Sequence, residues 1–180
     1  MSQTLLVRYG AIPEVARFAC QLDRPPGRHD RVVVLSRRGP ELGTTLEAVR
    51  PHPGPGGTSS PESASPVDAA CQVVRRATAE DEARHAELRR KAQGDFDQWQ
   101  RRIREWNLEL ELLDLEWTLD GEKLVLYVLG GRGAETTKLA LQAAAAGLAV
   151  IEVQPVGPEG PIAIQAGGCG AGGCGCGEND

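Results

Sequence analysis

The apolar side chains Leu88, Ala92, Phe96, Trp99, Ile103 and Trp106 recur at steps of four, four, three, four and three. Only an α-helix gathers such a series onto one stripe. At its start, "TAEDEARHAELRRKAQ" places Asp81 three residues after Thr78, which predicts an N-cap with reciprocal capping, and Glu80 and Glu82 complement the helix dipole. Gly94 weakens the middle, but the stripe runs through it, so the spacing predicts one long helix with a soft point. Phe96, Trp99 and Trp106 are assigned to packing, and a helix with one apolar face demands a second layer.

That layer follows at once. "LELELLDLEW" sets Leu108, Leu110 and Leu112 on one face and Leu113, Leu115 and Trp117 on the other. Asp120-Gly121 then signals a hairpin, with "KLVLYVLG" as the returning strand. Glu135–Ala146 reads as an Ala-rich helix ended by Gly147 in the left-handed cap position. "LAVIEVQPVG" is the last strand, stopped by Pro155, Pro158 and Pro161.

Upstream, "TLLVRYGAIPEVARFAC" and "DRVVVLSRRGPELGTTLEAV" each read as two short strands around a Gly/Pro turn. Between these hairpins and the helix, "PHPGPGGTSSPESASP" has too little apolar surface to offset its ordering entropy. The expected fold class is therefore α+β in four parts. Residues 1–50 form a small antiparallel β-hairpin region, and 51–70 a Pro/Gly/Ser-rich linker or insertion. Residues 71–165 hold a long helix with a β-β-α-β unit, an incomplete ferredoxin-like layer, and 166–180 are a flexible Gly/Cys-rich tail.

An apolar share of 41% with 25% charged residues is that of a soluble globular chain. The net charge of −5 is unevenly spread. Residues 1–50 carry eight Lys/Arg against five Asp/Glu, whereas 106–180 carry three against eleven, which does not describe a dedicated nucleic-acid binder. The start "MSQTLLVRYG" has no leader pattern and no apolar run approaches a bilayer span, so a cytoplasmic location is expected. In that compartment five cysteines, an odd number, argue against a disulfide framework.

Several strings, in order, resemble one bacterial family. "VRYG" with "GAIPEVARF" is similar to its opening hairpin, and "DRVVVLSRRGPELG" to its second, with Arg38, Gly39, Glu41 and Gly43 framing the turn. "RRATAED" resembles the start of its long helix, "LELELLDLEWTLDGEKLVLYVLGG" its central hairpin, and "GGCG" its cysteine-bearing tail. The family is the YaaT/RicT-like one, whose shared domain is also called the polymerase-suppressor C-terminal region. The resemblance implies a non-enzymatic adaptor that assembles with two small helical partner proteins, carries an iron–sulfur cluster and modulates an endoribonuclease that processes mRNA. The tail departs from the family pattern, because Gly175 separates Cys174 from Cys176.

Cys169, Cys174 and Cys176 lie within eight residues on a backbone that glycine leaves free to curl. Soft thiolates suit an iron–sulfur cluster or, alternatively, zinc, and both ask for four ligands. The fourth candidate is Cys71, with Cys20, an exogenous thiol or a partner's ligand as alternatives; Cys20 is better explained as core.

Other constellations are poorer. His29, His52 and His85 read as surface residues, "GGRG" at 130–133 as a loop, and the carboxylates of "LELELLDLEW" as a solvated strand face. Arginines interleaved with aromatics in "LRRKAQGDFDQWQRRIRE" suit a solvated helix better than an RNA platform. The alternative to the adaptor is a nucleic-acid-binding module using Arg8, Arg17, Arg31, Arg37 and Arg38 on the N-terminal sheet. No nucleophile or acid–base constellation speaks for an enzyme.

Overall fold

A computed structural model describes residues 3–49, 71–130 and 133–162. The Pro/Gly/Ser-rich stretch and the Gly/Cys-rich tail lie outside the described residues. The N-terminal strands are β1 (Gln3–Tyr9), β2 (Glu14–Cys20), β3 (Arg31–Leu35) and β4 (Pro40–Val49). Their period-two alternation turns Leu5, Val7, Tyr9, Phe18, Cys20, Val32 and Val34 into one core, with Tyr9 meeting Phe18 edge-on at 5.3 Å. Ten residues make β4 long enough to pair with β3 along its first half and with β1 along its second. Where β4 crosses from one partner to the other, Gly43 lets the backbones close, because a Cβ there would sit 2.5 Å from Val7 Cγ1.

The fifth strand, β5 (Gln72–Arg76), overturns the expected fold class. It inserts between β2 and β3, parallel to the former through Ala19↔Gln72 and Cys20↔Val73 and antiparallel to the latter. The result is a closed barrel in the order β1-β2-β5-β3-β4, not a hairpin region followed by a β-β-α-β unit. Two of its five residues are arginines, and its partners lie about forty positions upstream on β3 and about fifty on β2, so no local pattern announces it.

After β5 the helix α1 (Ala79–Glu105) runs unbroken through the solvent-facing Gly94. The capping box is present: the Asp81 N–H donates to Thr78 Oγ1 at 3.3 Å and the Thr78 N–H to Asp81 Oδ2 at 2.8 Å. Arg75 ion-pairs with Asp81 and Arg31 with Glu82 at 2.8 Å, tying the helix start to the barrel. The Arg75 hydrogen bond, helped by the cap, holds the Asp81 carboxyl well below the usual carboxylate range.

The second sheet has the order β6-β7-β8-β9. Strands β6 (Glu111–Trp117) and β7 (Lys123–Leu129) are joined at Asp120-Gly121, with Gly121 at φ +76. The helix α2 (Ala134–Ala145) crosses to β8 (Val150–Gly157), parallel to β7, and the two-residue β9 (Gly160–Pro161) follows. Pro155 does not stop β8. Its carbonyl accepts from the Ile162 N–H at 2.9 Å on the β9 side, so its missing N–H also faces away from β7 and the β7 ladder survives.

The sheet's two faces have different covers. Leu112, Leu124, Leu126 and Val128 pack under Ala92, Trp99 and Ile103 of α1 and Leu139 and Ala143 of α2. On the opposite face Val125, Tyr127 and Val156 meet Ala11 and Ile12 of the β1–β2 turn, so the sheet is sandwiched between helices and barrel. No described helix is long and apolar enough to cross a membrane.

Because the space at Gly43 is already filled by Val7, Gly43→Ala is expected to destabilise the protein by about 1–3 kcal/mol through overpacking. A urea unfolding curve measures it; an unchanged midpoint would mean the barrel wall yields there.

Candidate functional site

The seam between barrel and sheet holds a buried polar cluster of six residues drawn from five elements. Ser36 and Arg38 lie in the β3–β4 turn and Glu41 on β4, while Glu116 comes from β6, Tyr127 from β7 and Tyr9 from β1. The turn closes through the Ser36 N–H donating to the Gly39 carbonyl at 2.9 Å, which aims Arg38 inward rather than to solvent. Arg38 retains only 5% of its surface and Glu41 3%.

Arg38 is the hub. Its Nη1 donates to the Tyr127 hydroxyl at 3.3 Å and its Nε to Glu41 Oε2 at 3.4 Å, and its guanidinium lies 4.9 Å from the Tyr9 ring centroid. Arg38 Nη2 lies 3.1 Å from Glu41 Oε1, yet that contact lacks hydrogen-bond alignment, so both atoms are buried in charge contact alone. The Tyr127 hydroxyl donates to Glu116 Oε2 at 2.9 Å, and the Ala11 N–H donates to the same oxygen at 2.7 Å. Glu14 closes the rim, 3.7 Å from Arg38 Nη1. Gly10 is required beside the cluster: its φ is +84, and a Cβ would stand 3.1 Å from the Tyr127 hydroxyl and 3.2 Å from Arg38 Nη2.

Desolvation governs the protonation of this cluster. Burial pushes the Glu41 carboxyl up to about 7 against the pull of Arg38, and the Glu116 charge adds to the rise. Burial raises the Tyr9 and Tyr127 hydroxyls far above the ordinary phenol range, helped by Glu14 and Glu116 respectively. Burial disfavours the Arg38 charge, but Glu41 and its neighbours outweigh it and the guanidinium stays protonated. On α1, burial lowers half-buried His85, while Glu116 pulls it the other way.

Of the residues expected to form a metal centre, Cys71 alone lies among the described residues. Cys71, immediately before β5, packs in the barrel core with Cys20 and Phe18, and its carbonyl accepts from the Ala19 N–H at 3.0 Å. Cys169, Cys174 and Cys176 lie outside the described residues. Among the described residues no three His, Cys, Asp or Glu side chains converge as metal ligands, which corrects the expectation of an iron–sulfur cluster or zinc.

The basic set is scattered too. Arg8 is exposed on β1 and Arg17 half-buried on β2, Arg31 is paired with Glu82, Arg37 is exposed in the turn, and Arg38 is buried. Along α1, Trp99 is buried, Arg102 lies over its ring at 5.1 Å, and Arg89 donates to the Leu115 carbonyl at 3.3 Å. Trp117 is flanked by Lys91, whose Nζ lies 3.7 Å from its ring centroid. Of the strand-face carboxylates, Glu109 and Glu111 are exposed, but Glu116 is buried, contrary to the solvated face its alternation predicts. The cluster had one local sign in the sequence: Arg38 and Glu41 three residues apart across a glycine-framed turn.

Residues 71–130, one third of the chain, match the family model described as the PSP1 C-terminal conserved region, the domain type associated with YaaT/RicT-like proteins. The matched segment takes in β5, α1, β6 and β7. Comparison with curated proteins and with solved structures gives no match.

Replacing Arg38 by Met removes the cation and leaves Glu41 buried with the Ser36 hydroxyl but without a counter-charge. At a pH above the Glu41 value of about 7, R38M is expected to cost about 3–5 kcal/mol, and R38M/E41Q to recover part of that loss. Chemical denaturation of the two variants measures both; equal losses would show that the charges do not stabilise each other.

Proposed function

We propose that the protein is a non-enzymatic adaptor of the YaaT/RicT-like type that engages protein partners in the cytosol and acts through them on mRNA processing. The observation that carries this reading is the family match over 71–130, whose elements run from the barrel wall through α1 to the sheet. The same segment supplies the strand that closes the barrel and two members of the buried cluster, Glu116 and Tyr127. Arg38, Glu41, Glu116 and Tyr127 are turned toward one another and away from solvent, an arrangement that suits a joint between two layers better than a place where substrate reacts. The proposed partners are small helical proteins and, through them, an endoribonuclease.

The test is cross-linking of the tagged full chain in its host, with the contact positions mapped. Contacts with defined protein partners on β5, α1, β6 and β7, together with altered transcript ends when the gene is deleted, are the expected result. The purified chain is expected to leave a labelled single-stranded RNA unbound at about 0.1 M salt. Tight RNA binding by the purified chain that falls steeply with salt and is lost in R8A/R17A would favour the nucleic-acid reading instead.

A further inference from the structure

The charge count at the seam points beyond a static scaffold: Glu14, Glu41 and, through Tyr127, Glu116 are gathered around one buried guanidinium, Arg38. Ser36 has one hydroxyl proton and two acceptors within reach, the Gly39 carbonyl at 3.2 Å and Glu41 Oε2 in close contact. Its own oxygen already accepts from the Arg38 N–H at 3.0 Å. The Gly39 carbonyl also accepts from the Ser36 N–H at 2.9 Å and Glu41 Oε2 from Arg38 Nε at 3.4 Å, so the Ser36 proton is free to turn either way. If Glu41 is protonated, its O–H donates to Ser36 Oγ and the Ser36 hydroxyl turns to Gly39.

The charges agree with this. Glu116 Oε2 accepts from two donors, the Ala11 N–H and the Tyr127 hydroxyl, whereas Glu41 Oε1 has no hydrogen-bond donor. Arg38 is the buried cation that these carboxylates share, directly for Glu41 and through Tyr127 for Glu116. A full anion at Glu41 would share this one cation with Glu14 and, through Tyr127, with Glu116, which is poor compensation in a desolvated site. The apolar contact across this seam is small, resting on Val125, Tyr127 and Val156 against Ala11 and Ile12.

We propose that Glu41 holds a proton while the barrel is seated on the sheet, and that loss of this proton is a switch that loosens the seam. The groups facing Glu41 are Ser36 and Arg38 from the β3–β4 turn, Tyr9 from β1, Glu14 from β2, Glu116 from β6 and Tyr127 from β7, with His85 of α1 acting on Glu116. The proton leaves to solvent and no other bond changes. The switch is independent of what partners the protein has.

The sign follows from the raised acidity constant. Glu41 binds its proton more tightly folded than unfolded, so its contribution to stability is full below its ordinary value of 4.5 and is lost as pH rises to about 7. His85, lowered by burial, works in the opposite direction below its ordinary value of 6.5, so a bulk stability curve would mix the two. A local probe separates them, because the chain's two tyrosines, Tyr9 and Tyr127, both stand in the seam.

The experiment is nuclear magnetic resonance of the full chain with isotope-labelled tyrosine rings and glutamate carboxyls, from about pH 5 to about pH 8.5. Expected are one buried carboxyl and both tyrosines moving with a shared midpoint near 7, and exchange of the Ala11 amide, corrected for pH, accelerating by about tenfold above it. The shared transition should vanish in E41Q and persist in H85A. Tyrosine signals flat across the range, or moving identically in E41Q, or silenced by H85A, would overturn the proposal. Should E41Q fail to fold, the wild-type carboxyl titration and H85A decide the matter without it.

Discussion

Five backbone residues, Gln72–Arg76, hold the architecture together. Without them β2 and β3 would face each other with unpaired edges, and the barrel core of Leu5, Val7, Phe18, Val32 and Val34 would lie open along one side. The strand also delivers the chain into α1: Arg75 at its end binds Asp81, which completes the capping box of the helix that covers the second sheet. The strand that closes the barrel and the helix that covers the second sheet are therefore one continuous piece of chain.

The other connection between the layers is made of buried charge. Arg38 reaches the sheet through Tyr127, and the sheet reaches back through Glu116 to the Ala11 amide. Such a cluster is directional where an apolar contact is not, because each donor has to meet its acceptor for burial to be tolerable. Gly10 and the positive-φ Gly39 permit the approach, the first against Tyr127 and Arg38 and the second against Thr118. The neighbouring Leu119 N–H donates to the Pro40 carbonyl at 2.8 Å, extending the seam as backbone hydrogen bonding.

Regular local patterns were legible in the sequence, and the pairing between distant segments was not. The helix from Thr78, its capping box, the Asp120-Gly121 hairpin and the Gly147 cap are each written in a handful of neighbouring residues, and the structure has them all. No local pattern announces the barrel, because β5 is short, carries two arginines and has remote partners. Pro155 suggests a stop to β8, yet its missing N–H costs nothing on the side away from β7. Alternation alone makes Glu116 solvent-facing, because it tells which face a side chain takes, not what covers that face.

Periodicity and turn chemistry act over a few residues, so the α1 stripe, the two strands of the β6–β7 hairpin and the turn at Gly121 could be read from the sequence, whereas the register shift between Leu112 and Asp114, which turns Leu112 and Leu115 into one core, could not. Only the tertiary structure decided that the N-terminal strands close into a barrel and that Arg38, Glu41, Glu116 and Tyr127 share one desolvated space. The physical reason is that burial is a property of the assembled layers. A glutamate on a strand becomes a strained carboxyl only when another layer removes its water.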